Sequence, residues 1–370
     1  QPEDCHGPRE VVDPRSYCWR CTEWRGRPWH EAVVYELHLG TFTPHGTFRS
    51  AIERLDALVA LGVTALEIMP VADFPGRWNW GYDGVLFYAP DSSYGRPEDF
   101  KALIDAAHER GLMVLLDVVY NHFGPDGNYL HAYAPDFFTE RHRTPWGAAV
   151  NYDGRGPGQE SRWVREFVIQ NALYWLEEFR LDGLRLDAVH AIADDSRPDV
   201  IEELAARVAA GPGRERHVHV VLENDRNEAR YLRASEGRAV RCAAQWNDDF
   251  HHACHVLATG ETAGYYVAYA DDPLRHLARC LTRGFAYQGE VFPYSGEHRG
   301  RPTDGVPLTA FLNFLQNHDQ VGNRAFGDRL GAVADRRRLA LVTAIHLLAP
   351  SPPLLWMGEE WGASAPFQYF

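Results

Sequence analysis

The chain has 370 residues, 45% of them hydrophobic and 24% charged, which are the proportions of a folded globular protein and exclude a disordered or fibrous one. Its 37 Lys and Arg against 51 Asp and Glu leave a net charge of −14, so long-range electrostatics oppose nucleic acid and anionic membranes, and a neutral ligand is expected. No apolar run approaches the roughly 18–20 residues of a spanning helix, and residues 1–10 are polar and not signal-like.

The chain lacks an initiator Met, so a trimmed or partial sequence is expected. Six cysteines scattered over this length do not make a disulfide framework; reduced thiols and a cytoplasmic location are expected. Cys18 and Cys21 form a CxxC, but no second close pair completes a zinc set, and ordinary packed or surface thiols are the simpler reading.

After a Trp- and Pro-rich lead, AVVYELHLGTF (32–42) reads as a strand, and Thr47 caps a helix over 48–62. VTALEIMP (63–70), a helix over 97–111 and MVLLDVVYNH (113–122) repeat the unit. A helix over 161–179 then leads to DGLRLDAVHAI, and one over 201–210 leads to VHVVLEND. Further strands are expected at AAQWND, TAFLNFLQNH and PPLLWMGEE. Eight near-continuous apolar strands alternating with amphipathic helices predict an α/β fold, a closed TIM-type (β/α)8 barrel rather than an open doubly wound sheet. Each strand closes on a polar residue: His38, Glu67, Asn121, Asp187, Glu223, Asn247, His318 and Glu359. That edge of an eight-stranded barrel is where active sites are built. Residues 123–160, rich in Gly, Pro, Asn and Asp, are too long for an ordinary strand-to-helix connection and predict an excursion over that face.

Arg185 and Asp187 lie two apart on a strand, so their side chains point the same way, and a guanidinium beside a carboxylate favours its charged form. From these residues alone, a structural ion pair and a reactive site are equal readings. Glu223 supplies a second carboxylate at the next strand end, behind an apolar run in which its pKa can rise. One acid held charged and one able to keep a proton are the requirements of retaining glycoside hydrolysis, with carboxyls about 5 Å apart. Asp319 and His318 end a further strand, and Asp117, Asn121 and His122 end or flank another. Each has a bland alternative in barrel bracing, loop capping or core packing. Together they favour a site, because burying so many polar groups without a ligand costs stability repeatedly. Of the aromatic residues Trp78, Trp80 and Tyr82, Tyr82 is the one expected to face a sugar ring.

DVVYNH, GLRLDAVH, the Glu223 strand end and FLQNHD together resemble the four short conserved regions of the α-amylase superfamily of glycoside hydrolases, and the likeness runs from about Tyr35 to the C-terminus. The resemblance implies Asp187 as nucleophile, Glu223 as general acid and base, and Asp319 as the acid that grips and distorts the sugar. It implies Arg185 as partner of Asp187, and His122 and His318 as hydrogen-bond donors to the ring. Asp117, Asn121, Tyr82 and His190 complete the expected substrate-binding set. The wording GLRLDAVHAI, LENDRN, QWNDDFHHA and TPWGAAVNYDG is most similar to the branch that acts on maltooligosyltrehalose, with glucan branching enzymes as nearest relatives.

An α-1,4-glucan or maltooligosyltrehalose is therefore the expected substrate, with no nucleic acid or membrane partner; the sequence does not disclose oligomeric state. Glucan branching is the alternative within the class, and a silent glucan-binding barrel the alternative outside it. No cofactor is expected. Amylases of the superfamily often hold calcium near the position matching Asn121, but 123–160 carries no dense acidic set, so no metal is expected either. The resemblance also implies domains that this sequence lacks: residues 1–31 are expected to lead in from a β-sandwich domain, and 32–370 to form the catalytic barrel with 123–160 inserted. The last barrel helix and a C-terminal β domain are expected to be missing.

Overall fold

A computed structural model describes residues 5–8, 10–154, 161–233 and 242–370. Residues 1–4 and 9 of the expected lead-in and 155–160 of the expected excursion lie outside the described residues. Eight parallel strands form the closed barrel: β1 (Val34–Leu37), β2 (Ala65–Ile68), β3 (Met113–Val118), β4 (Gly183–Leu186), β5 (His219–Leu222), β6 (Ala244–Trp246), β7 (Phe311–Phe314) and β8 (Pro353–Trp356), in sequential order around it. All eight expected strands are present. All are fully buried except Pro353 at the start of β8, which is why they read as continuous apolar runs instead of alternating ones. Among the described residues no helix is long and apolar enough to cross a membrane.

The chain divides into two compact units, one of residues 1–27, 38–223 and 370, the other of 28–37 and 224–369. In the first, β2 pairs with β3, β3 with β4 and β4 with β5. The longer helices of this unit, among the described residues, are α1 (Leu55–Leu61), α2 (Pro97–Glu109), α3 (Arg162–Glu178) and α4 (Val200–Ala210). Local chemistry sets their ends. Pro97 opens α2, where its missing N–H costs nothing, and the Asp199 carboxylate caps α4 by accepting the Glu202 N–H at 2.9 Å. The helix expected over 48–62 is interrupted: Thr47 does cap a short helix, Phe48–Ile52, through a capping box with Ser50, but a turn at 53–54 separates it from α1. Within the excursion, an antiparallel hairpin pairs Phe138–Thr144 with Gly147–Val150.

In the second unit β6 pairs with β7, β7 with β8 and β8 with β1. Its longer helices, among the described residues, are α5 (Asp248–Thr259), α6 (Pro273–Arg283) and α7 (Arg336–Leu348).

Gly183 starts β4 where no side chain fits. A Cβ there would stand 2.5 Å from the carbonyl oxygen of its register partner His219 and 3.0 Å from the Leu115 side chain. Because backbone must move to admit it, Gly183→Ala is expected to destabilise the protein by about 2 kcal/mol, the range of core overpacking, in a denaturant titration.

Candidate active site

In the first unit the parallel register sets Asp117 on β3 opposite Arg185 on β4. Strand geometry turns both side chains to the same face, and Asp187, two residues beyond Arg185, follows them. Arg185 is buried and binds three carboxylates from three strand ends. Its Nη1 donates to Asp117 Oδ1 and Oδ2 at 2.9 and 2.7 Å and to Asp187 Oδ1 at 2.8 Å. Its Nη2 lies 3.0 Å from Glu223 Oε2.

Asn121 fixes the other oxygen of Asp187: its Nδ2 donates to Asp187 Oδ2 at 2.7 Å and to the Asp187 carbonyl at 2.9 Å. A carboxylate only accepts, so the Asn121 amide has one possible orientation, which leaves Oδ1 to take the Nδ1–H of His122. His122 stacks on Trp146 with ring centroids 4.3 Å apart and planes 1° from parallel. Burial holds the His122 pKa below its ordinary value despite Asp187 nearby, so the ring is neutral at neutral pH and suited to a neutral ligand. Beside it opens a cleft of about 400 Å³ lined by Asp83, His122, His131, Phe138 and Trp146 among others.

Glu223 keeps more exposure than Asp187, with 21% of its side chain accessible against 12%. The Ala188 N–H donates to the same Oε2 that faces Arg185, at 2.7 Å. That amide is aimed by the left-handed backbone of Ala188, φ 38°, an uncommon conformation for a residue with a side chain.

The remaining expected residues of this unit divide. Tyr82 is half-buried, its hydroxyl donating to Asp117 Oδ2 at 2.6 Å. Asp117 itself is enclosed, both oxygens taken by Arg185 and Tyr82; burial pushes it up to about 6 against the pull of the guanidinium. Trp80 is core and Trp78 is 59% exposed. His190 sits half-buried in a single 3-10 turn, Val189–Ala191.

In the second unit His318 opens the short helix His318–Gly322 and Asp319 follows it in the first turn. Glu36 on β1 holds His318 twice, accepting its Nδ1–H at 2.5 Å and its backbone N–H at 3.2 Å. The rings of Trp246 and Trp356 stand 6.0 and 6.3 Å from the His318 ring. Asn323 Nδ2 donates to Asp319 Oδ1 at 2.6 Å.

One group of metal-capable side chains occurs among the described residues. His142, Asp153 and Asp195 bring ligand atoms within 4.8 Å of one another. Arg141 already bonds both carboxylates, at 2.6 Å to Asp195 and at closer range to Asp153, so their charge is met by a guanidinium and the group does not suit a calcium ion.

The closed parallel barrel with its Asp–Arg–Glu cluster at consecutive strand ends is similar to the catalytic barrel of the α-amylase family, whose description "Alpha amylase, catalytic domain" matches residues 22–145. The particular likeness is narrower. The chain is 46% identical over 372 residues to a malto-oligosyltrehalose trehalohydrolase from Arthrobacter ramosus and 41% identical over 373 residues to one from Saccharolobus solfataricus. Each match takes in all of this chain and 64% of the relative, so the chain spans just under two thirds of their length. Among solved structures, a Salmonella typhimurium protein provisionally described as an α-amylase superposes with a TM-score of 0.95 at 52% identity, covering 100% of this chain and 62% of that one.

Proposed function

We propose that the protein is a retaining glycoside hydrolase that cleaves the α-1,4-glucosidic bond next to the trehalose end of maltooligosyltrehalose, releasing trehalose and a maltooligosaccharide. The observation that carries this reading is the single guanidinium of Arg185, which binds Asp187 on one terminal nitrogen and Glu223 on the other. Two carboxylates bridged in this way fit the roughly 5 Å spacing of a retaining pair better than the roughly 6.5–9.5 Å gap that admits a water in inverting enzymes.

Glu223, the more exposed of the two, protonates the glycosidic oxygen as the bond to the leaving sugar breaks. Asp187, both oxygens held by Arg185 and Asn121, attacks the anomeric carbon and forms a glycosyl ester. Glu223, now anionic, takes a proton from the incoming water, whose oxygen displaces Asp187 from the same carbon. Two inversions leave the configuration unchanged. Asp319 is assigned the grip on the sugar hydroxyls, with His122 and His318 beside the ring; with its Nδ1–H given to Asn121, neutral His122 accepts from a sugar hydroxyl at Nε2 where the family pattern led us to expect a donor. The choice of maltooligosyltrehalose over other α-glucans rests on the likeness to the trehalohydrolases over the whole of this chain.

The test is to incubate the purified protein with maltooligosyltrehalose and identify the sugars formed. Free trehalose is expected. New α-1,6 branches would replace this reading with transglycosylation, and saccharide binding without any turnover would replace it with a glucan-binding barrel.

A further inference from the structure

Two adjacent aspartates at the start of α5 have opposite surroundings. Asp249 is saturated: Oδ2 accepts from Asn227 Nδ2 at 2.8 Å and from the N–H groups of Ala286 and Tyr287 at 2.8 and 2.9 Å, and Oδ1 accepts from the Tyr269 hydroxyl. Asp248 is half-buried, and among the described residues its carboxyl accepts no hydrogen bond. Its position is nonetheless fixed. The preceding Asn247 caps α5 by accepting the Phe250 N–H, and its Nδ2 donates to Asn313 Oδ1 and Gly284 O, both at 2.8 Å. A rigidly held carboxyl without a partner is either a cost or a contact for something absent.

The neighbours favour a contact. Asp225, Asp249 and Asp319 surround Asp248 with like charge and, after burial, push its pKa up to about 7 against the pull of Arg299, so it carries a proton readily near neutrality. One turn along the same helix face, His252 is only 5% exposed, and its Nδ1 is enclosed with no hydrogen-bond partner. Its ring lies 4.5 Å, centroid to centroid, from Tyr265, whose hydroxyl donates to Gln320 Oε1 at 2.9 Å, one residue from Asp319. Tyr265 is 37% exposed and offers a flat face beside two polar side chains with unmet hydrogen bonds.

We propose that Asp248 is a specificity-determining contact for the glucan, hydrogen-bonding a hydroxyl of a glucosyl residue that lies against Tyr265 beside Asp319. This rests on the reading of the protein as a glucan-acting enzyme. A protonatable carboxyl suits such a role, because it can donate to a sugar hydroxyl as well as accept from one.

The test uses the full 370-residue chain in a Glu223→Gln background, so that binding is read without turnover. Calorimetric Kd values for maltohexaose at pH 6 are compared for Asp248, Asp248→Ala and Asp248→Asn. Asp248→Ala is expected to weaken binding about tenfold, the scale of one hydrogen bond to a ligand, while the isosteric amide stays within about threefold. In the Glu223 enzyme the same alanine change is expected to raise KM with kcat altered less than about threefold. The proposal is overturned if Asp248→Ala binds within twofold of the parent, if Asp248→Asn binds as weakly as Asp248→Ala, or if kcat falls while KM does not move. Failure of the parent to bind maltohexaose at all, or of the unmodified enzyme to act on any α-glucan, would instead end the reading on which the proposal rests.

Discussion

Glu223→Gln is expected to lower kcat at least about a thousandfold while leaving the melting temperature within a few degrees of the parent. The kinetic loss follows from removing the proton donor and acceptor of both chemical steps, each worth roughly 10²–10⁴. The structural silence follows from geometry: Arg185 Nη2 and the Ala188 N–H both address Oε2, so the one amide oxygen of glutamine can serve both. Asp187→Asn should abolish turnover as thoroughly, since an amide is no nucleophile, but it is the less clean substitution. Arg185 Nη1 takes one Asp187 oxygen and Asn121 Nδ2 the other, so an amide nitrogen must face a donor on one side. Steady-state kinetics beside a thermal melt checks both variants; near-parental kcat in either removes its residue from the proposed mechanism.

Arg185→Met is expected to cost stability as well as activity, by about 3–5 kcal/mol, because it leaves buried carboxyls facing one another without their cation. The deficit should depend on pH, with a definite sign. Asp117 already titrates at about 6 instead of its ordinary 3.8, so the folded state binds its proton more tightly than the unfolded state does. A group raised in this way adds stability below the unfolded pKa and loses it as pH rises through the folded one. Removing the guanidinium, which lowers Asp117, extends that loss to higher pH. The variant should therefore melt closer to the parent at pH 5 than at pH 8. A deficit equal at both pH values would show that Arg185 contributes packing and not charge balance.

The barrel was legible because its strands are buried on both faces, which leaves a continuous apolar signal ended by a polar residue, and the eight expected strands are the eight observed. Arg185 and Asp187 were legible as a pair because a two-residue spacing on a strand fixes a common side. Glu36 was not. It lies inside an apolar run on β1, and its role depends on His318, 282 residues away, so no local pattern announces it. Trp146 escaped notice for a related reason: it lies in the excursion, and only the folded excursion stacks it on His122. Asp117 looked like a residue of the open edge, yet it lies inside the strand end, where Tyr82 and Arg185 close over it. Asp248 and Asp249 are identical in sequence terms and separated in function only by which one the surrounding backbone satisfies.

Arg185 joins Asp117 on β3 to Asp187 beyond β4 and Glu223 beyond β5, and its reach depends on β4 lying in one alignment against both neighbours. A slip of one residue would swing the guanidinium to the opposite side of the sheet and strand the acids of the other strands without a cation. Misassembled chains would thus fail to hold together before they could fail to react, which makes folding itself the inspection step for the chemistry.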